Sequence, residues 1–338
     1  MADNWPTRLA DAHGRVGTDL RISVTDRCNL RCVYCLPADA ATWTRRDDLL
    51  TPEEFTRLAR IGIELGIRDI RLSGGEPLLR PDLAQIVAGC SEAFEAAGLT
   101  PHVALTTNAI GLASAIPALT DAGLERINLS VDTLESSRFA DLTRRSRFDD
   151  LLAGLDAVAA SPLDPVKVNT VIVDETSLAE IGALVRFCLA RGWQWRAIEW
   201  MPIGPMPHDH SAPTGEDIFA ELSRHFTLTP RTQDDPHAPA TTWDIAKGED
   251  HPAGIVGIIA SMSAPFCDRC TRTRLSADGR MYPCLFSRTH VDLKHLLRSG
   301  ASDAAIARAW ADGQAAKPRG HRWLPEVPQA YSLSQIGG

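Results

Sequence analysis

Two groups of three cysteines carry the most evident chemistry in the chain: Cys28, Cys32 and Cys35 within eight residues, and Cys267, Cys270 and Cys284 near the other end. Soft thiolates suit iron–sulfur clusters, and a 4Fe–4S cluster held by only three cysteines keeps one iron open for a substrate. A structural zinc site instead closes with a fourth Cys or His, and the histidine nearest the first group, His13, lies fifteen residues upstream. The first group therefore reads as an open cluster site. The second has only His290 as a nearby fourth ligand, and its spacing is also that of half a zinc ribbon, so cluster and zinc both stand for it. Cys90 and Cys188 are isolated in helical patterns (IVAGCSEAF, LVRFCLARG) and read as small buried hydrophobes.

The elements that must position these groups follow from periodicity. Short β-branched runs at Leu20–Val24, Asp69–Ser73, His102–Thr106, Arg126–Ser130, Val166–Val173 and Trp195–Met201 alternate with helical patterns at Pro52–Leu65, Asp82–Ala97, Leu112–Ala122, Phe148–Ala160 and Ser177–Arg191. Thr51-Pro52-Glu53-Glu54 is a cap followed by proline and early acids, and Gly98, Gly123 and Gly192 stand where helices should stop. Strands joined by helical crossovers imply a parallel sheet, and six such units in succession favour an α/β fold of incomplete (β/α)6 TIM-like barrel type over a flat doubly wound sheet. In either, chemistry belongs at the carboxyl ends of the strands. The first cysteine group, Gly74-Gly75-Glu76-Pro77, Thr106-Thr107-Asn108, Ser130 with Asp132, and Glu199 to Met201 all fall there, while Asn169 lies in the fifth strand. After Pro202 the texture becomes rich in proline and histidine. A helix near Gly215–His225, strand-like pieces at Phe226–Thr229, Thr241–Ala246 and Gly254–Ala260, the second cysteine group, two helical stretches and a tail follow. This predicts a barrel over 1–205 and a smaller α+β domain over 206–338 that closes the open side.

Composition bounds the partners. With 338 residues, 44% hydrophobic and 23% charged, disorder, collagen and coiled coil are excluded. Lys plus Arg number 35 against 43 Asp plus Glu, a net charge of −8 that repels nucleic acid unless basic groups are gathered in one place. No signal-like apolar run opens the chain and no stretch of about 18 apolar residues occurs, so the expectation is a cytoplasmic protein without a membrane partner. Few, clustered cysteines argue against a secreted disulfide framework.

CNLRCVYC fits the CxxxCxxC motif of radical S-adenosylmethionine (SAM) enzymes, and LSGGEPLLR resembles the segment after their second strand that holds the methionyl part of SAM. The chain as a whole resembles the GTP 3′,8-cyclases of molybdenum-cofactor biosynthesis, through LRISVTDRCNLRCVYC, IRLSGGEPLLR, LTTN, RINLSVD, VKVNTVI, EWMPIG, FCDRCTRTRLSADGRMYPCLF and the terminal Gly337-Gly338. The resemblance implies a lyase with two 4Fe–4S clusters. The first cleaves SAM reductively to a 5′-deoxyadenosyl radical, which takes the 3′ hydrogen of GTP, and the 3′ carbon radical then attacks carbon 8 of guanine. The second binds GTP through its open iron. A reduced donor of flavodoxin or ferredoxin type, transfer of the product to cyclic pyranopterin monophosphate synthase, and a monomer or homodimer complete the expectation.

The same resemblance maps SAM contacts onto Tyr34, Gly75, Ser130 and Met201, with Glu76 near the SAM amino group. GTP contacts map onto Arg21, Arg71, Thr106, Lys167, Arg272 and Arg274, with Arg196 a further candidate, and Gly337-Gly338 is expected to reach into the active site. The residues themselves support this in part. A triphosphate carries about four negative charges and needs clustered cations; Arg272 and Arg274 alternate in TRTR, and on a strand that period turns both to one face. Arg21, Arg71 and Lys167 lie inside strands, where an unpaired charge is costly. Gly74 and Gly75 leave room for close approach of a ligand. The histidines, among them His208, His210, His237 and His251, show no metal-ligand spacing. Two other readings compete: a peptide-modifying radical SAM enzyme, which typically carries more C-terminal cysteines and lacks TRTR, and an electron carrier, which needs no SAM pocket.

Overall fold

The structure, a computed structural model, describes residues 5–39, 43–207, 211–232, 235–321 and 333–336. Strands β1 (Asp19–Ser23), β2 (Asp69–Ser73), β3 (Val103–Thr107), β4 (Arg126–Ser130), β5 (Val166–Ile172) and β6 (Gln194–Glu199) are joined by helical crossovers. These are α1 (Pro52–Glu64), α2 (Leu83–Ala96), α3 (Leu112–Asp121), the pair α4 (Ser136–Thr143) and α5 (Phe148–Ala159), and the pair α6 (Glu175–Ala179) and α7 (Ile181–Leu189). Thr51 and Glu54 form a reciprocal capping box at the start of α1, with Pro52 at its first position. Gly98, Gly123 and Gly192 all adopt positive φ just beyond helix ends.

Two helices differ from expectation. The pattern over Ser177–Arg191 is two helices, because Asp174 caps a short first one by accepting from the Ser177 amide at 2.8 Å, and a second starts after Glu180. Helix α4 was not anticipated. Its eight residues carry no side-chain cap, and it stops at Arg144 in the left-handed region.

Later in the chain come α8 (Gly215–His225), β7 (Leu228–Pro230), β8 (Thr241–Ile245), β9 (Gly254–Ile259), β10 (Arg272–Leu275), β11 (Arg280–Tyr282), β12 (Val291–Asp292), α9 (Leu293–Arg298), α10 (Asp303–Ala315) and α11 (Leu333–Ile336). The strands join one open sheet in the order β12-β11-β10-β1-β2-β3-β4-β5-β6-β9-β8-β7. Strand β10 pairs parallel with β1, and β9 parallel with β6. The parallel series thus runs from β10 to β9, two strands beyond the predicted six, with antiparallel strands outside it. The change of texture near residue 205 marks a change of topology, while the segment after it extends both edges of the same sheet.

Strand residues alternate cleanly. Leu20, Ile22, Leu72, Leu105, Leu129, Val168 and Trp195 are fully buried or nearly so in the layer beneath the helices, among Phe55, Leu58, Ile61 and Phe94. Each such side chain contributes about 1.5–3 kcal/mol by leaving water. The intervening positions, including Arg21, Arg71, Lys167 and Asn169, take the opposite, concave face. Burial of one face therefore forces the polar set onto the other.

Candidate functional site

The first cysteine loop leaves the carboxyl end of β1 and is held from two sides. The amides of Arg31 and Val33 donate to the carbonyls of Thr143 and Leu142 at 2.9 Å each, at the end of α4. On the other side, the amides of Gly75 and Glu76 donate to Thr25 and Arg27 carbonyls at 2.7 Å each. A Cβ on Gly74 would sit 2.3 Å from the Thr25 oxygen, and one on Gly75 would sit 2.2 Å from the Arg27 oxygen. The room these glycines leave is taken first by the protein's own cysteine loop, which a side chain here would displace. Burial pushes the thiols up, Cys28 to about 11, Cys35 to about 12 and Cys32 well above the ordinary range. A metal cluster that takes them as thiolates therefore expels protons on assembly.

These cysteines open onto a cavity of about 200 Å³ whose lining includes Tyr34, Gly75, Glu76, Ser130, Asp132 and Met201. All four residues mapped to SAM are thus around one space. The Tyr34 hydroxyl donates to Asp132 Oδ2 at 2.6 Å, and Asp132 Oδ1 accepts from the Val171 amide at 2.9 Å. Burial raises the Asp132 carboxyl. Glu76 accepts from the Thr107 hydroxyl at 2.6 Å, the Asn108 amide at 2.8 Å and the Leu78 amide at 3.0 Å, yet burial still holds it up at about 7. Glu199, also on this cavity, is a tie: its carboxylate accepts from the amides of Gly215, Met262 and Ser263, fastening the end of β6 to the start of α8.

A second cavity, of about 160 Å³, is lined by Cys267, Cys270 and Cys284 together with Arg21, Arg71, Arg196, Arg272 and Arg274. It shares Thr106, Asn169, Ile198 and Met201 with the first. The two cysteine groups therefore face adjoining spaces across a four-residue wall. Register explains the cationic side: Arg274 on β10 lies opposite Arg21 on β1, which lies opposite Arg71 on β2. Arg21 is ion-paired with Asp19 at 2.6 Å, and Arg272 comes within 4.0 Å of the same carboxylate. Although burial alone would raise it, Arg21, Arg71 and Arg272 hold the Asp19 carboxyl far below its ordinary range. Among the described residues no carboxylate lines this cavity.

The cations themselves are under strain. Burial, followed by Arg21, pushes Arg71 well below the ordinary arginine range, and its Nε is buried with no hydrogen-bond partner. Burial pushes Arg196 and Arg274 down to about 10, with help from neighbouring arginines. Arg196 is aimed by two amides, donating from Nε to Asn169 Oδ1 at 3.0 Å and from Nη2 to Asn128 Oδ1 at 2.7 Å. Lys167 does not line the cavity, but burial and then Arg196 and Arg71 hold it down at about 8. Six like charges near one space are costly without an anion.

Asn128, Asp132 and Glu199 act as supports that sequence motifs did not single out as ligand contacts; for Asp132 and Glu199 the position at or just past a strand end was the available signal, while Asn128 lies mid-strand in β4. Cys90 and Cys188 are buried within helices, away from both groups. Helix α11 packs on β1: the Ser23 hydroxyl donates to the Ser334 carbonyl at 3.1 Å, and Arg274 Nη1 donates to the Ile336 carbonyl at 3.2 Å. Leu333 lines the first cavity. Gly337, Gly338, His208 and His210 lie outside the described residues. His237 and His251 bond backbone carbonyls.

Comparison with known proteins follows the same division. Residues 22–188 match the family model of the Radical SAM superfamily, and 193–323 match that of Molybdenum Cofactor Synthesis C. The chain is 47% identical over 338 residues to a GTP 3′,8-cyclase of Mycolicibacterium smegmatis, covering 98% of this chain and 92% of the relative. It is 44% identical over 336 residues to one of Corynebacterium glutamicum, covering 98% and 89%. Among solved structures it resembles Streptococcus suis SuiB with a TM-score of 0.59 at 17% identity, covering 90% of this chain and 68% of that one. At that identity the likeness speaks for the fold alone.

Proposed function

The chain belongs to the GTP 3′,8-cyclase family of the radical SAM superfamily, and on that premise we propose how its two cavities divide the work. The reaction converts GTP to (8S)-3′,8-cyclo-7,8-dihydroguanosine 5′-triphosphate, the first step of molybdenum-cofactor biosynthesis, with reductive cleavage of SAM on an iron–sulfur cluster. The observation that carries the division is the shared wall of Thr106, Asn169, Ile198 and Met201, with one cysteine triad on each side and the arginines on one side only.

Each triad puts three thiols on one cavity, a donor set that suits a 4Fe–4S cluster, and at the second cavity His321 also joins the lining, its Nδ1 3.8 Å from Cys267 Sγ. Among the described residues no group of three His, Cys, Asp or Glu side chains is disposed to hold a single metal ion. Cys28, Cys32 and Cys35 would hold the first cluster, and Cys267, Cys270 and Cys284 the second. When bound, the first supplies the electron for SAM cleavage and the second an open iron for the purine. Tyr34, Gly75, Ser130 and Met201 border SAM, with Asp132 fixing the Tyr34 ring. Arg21, Arg71, Arg272 and Arg274, joined by Arg196 and Lys167, bind the triphosphate, and Thr106 in the shared wall borders the ribose between the two spaces. Bringing the 3′ position to that wall is what places it within reach of a radical generated next door.

The barrel reading covers 1–205 and the C-terminal part 206–338. Gly337-Gly338, carried over from the family as reaching into the active site, follow in sequence on Ile336, whose carbonyl bonds Arg274. A flavodoxin- or ferredoxin-type donor, hand-over of product to cyclic pyranopterin monophosphate synthase, and a cytoplasmic location complete the proposal; no helix among the described residues is long and apolar enough to cross a membrane. Binding measurements on anaerobically reconstituted protein test the division. GTP should bind with both triads intact and lose affinity when Cys267, Cys270 and Cys284 are replaced, while SAM binding persists. Preference for a peptide over GTP would refute it.

A further inference from the structure

The loop carrying the second cysteine group is clamped from behind by two cations drawn from opposite ends of the chain. Arg15, ahead of β1, donates from Nη1 to the Cys267 carbonyl at 2.7 Å. The same guanidinium holds the carbonyls of Pro318 and Arg319 at 2.7 and 2.9 Å, with Asp11 as its counter-ion at 2.6 Å. Lys317, two residues past α10, donates from Nζ to the Cys270 carbonyl at 3.0 Å, the Arg272 carbonyl at 2.6 Å and the Cys270 Sγ at 3.4 Å. An ammonium has three hydrogens to give. Here two go to carbonyls that fix its position and the third goes to a sulfur.

Lys317 is only 3% exposed, and among the described residues no carboxylate lies within ion-pair distance of it. A buried ammonium without an anion costs several kcal/mol, in round terms. The atom beside it that a cluster would make anionic is the Cys270 sulfur. Three thiolates around a 4Fe–4S core leave that assembly negative. A fixed N–H···S contact and a buried positive charge then favour its more reduced, more negative state.

We propose that Lys317 is a positioning residue of the GTP-side cluster: its ammonium hydrogen-bonds the Cys270 sulfur, raises the reduction potential of that cluster and keeps its open iron electron-poor for a purine donor, while Arg15 sets the backbone at Cys267. This rests on the two-cluster reading. Nothing in the sequence marks Lys317, which follows a helix in AAKPRG like an ordinary surface lysine. The fold alone brings it to the sulfur.

The test compares the full-length wild type, Lys317→Met and Lys317→Arg, reconstituted anaerobically, by iron content and by redox titration followed with electron paramagnetic resonance, with the first cluster as internal reference. In Lys317→Met the second midpoint should move to more negative potential, and GTP affinity should fall severalfold through the weakened open iron. The first midpoint and SAM affinity should stay, and Lys317→Arg should remain near the wild type. If Lys317→Met loses the second cluster, retention of iron and midpoint in Lys317→Arg supports the assignment, whereas loss in both variants overturns it in favour of a packing role. A second cluster with the same midpoint in all three proteins also overturns it. A wild type with no second cluster would overturn the two-cluster reading itself and this assignment with it.

Discussion

Replacing Arg71 with methionine should move stability and binding in opposite directions. The side chain sits on β2 opposite Arg21, its Nε is buried and unpartnered, and burial together with Arg21 drives its pKa well below the ordinary arginine range. A buried donor left unsatisfied costs about 1–3 kcal/mol. Methionine fills a similar length without charge, so the nucleotide-free protein should gain that amount less the lost attraction to Asp19, a net of about 1 kcal/mol. In a chain of this size that raises Tm by about 2 °C. With GTP present the sign reverses. A charge-assisted hydrogen bond contributes about 1.5–3 kcal/mol, so affinity should fall by about 10- to 150-fold. Anaerobic melting with and without GTP, together with calorimetric titration, reads both effects. A variant that melts lower without nucleotide and binds GTP as tightly as the parent would refute the reasoning, because Arg71 would then be a structural cation satisfied by Asp19.

Three further outcomes follow from the site. Replacing Cys28, Cys32 and Cys35 together with alanine should abolish SAM cleavage yet leave about four irons per chain on the second triad; zinc there in anaerobically prepared protein would sink the two-cluster reading. Lys167 is depressed to about 8 in the free protein, and a bound triphosphate favours its charged form, so GTP affinity is full below that pH and weakens as pH rises through it. The same depression means the unfolded chain holds more protons between about 8 and the ordinary lysine value, so this group adds stability as pH rises across that window. GTP titrations from pH 7 to 9.5 on the parent and on Lys167→Arg, which should flatten the profile, check the first statement. Deleting Gly337-Gly338 should leave Tm, iron content and GTP affinity nearly unchanged while product formation collapses, with partial rescue by the peptide YSLSQIGG; normal turnover would make the tail a plain chain end.

Much of this was readable in local pattern. Strands β2 and β4 match the β-branched runs to the residue and the other strands given ranges, up to β9, match within one or two, because burial of alternate positions is a local signal; β10 to β12 were given none. The two cysteine groups and the alternation of Arg272 and Arg274 are likewise local. What pattern could not show is who neighbours whom across long stretches of chain. TRTR turns two arginines to one face, but only the pairing of β10 with β1 sets Arg274 opposite Arg21 and so extends the cationic row that continues into Arg71. The same non-local pairing puts β9 beside β6 and merges the C-terminal segment into one sheet. Gly74 and Gly75 looked like space for a ligand, and the backbone of Thr25 to Arg27 occupies it. Arg15 and Lys317 carry no signal of their own, since a cation beside a helix or on a loop is ordinarily solvated. Helix α4 escaped notice because its first turn lacks a cap, although its last turn supports the first cysteine loop.

The central claim is that a radical made in the first cavity acts on the ribose of a nucleotide held in the second. Turnover of GTP carrying deuterium at the 3′ position, in anaerobically reconstituted protein with SAM and a strong reductant, tests it most directly through the mass of the 5′-deoxyadenosine formed. The account predicts one deuterium in 5′-deoxyadenosine, matched to the cyclised product. Cyclised product accompanied by unlabelled 5′-deoxyadenosine would contradict it.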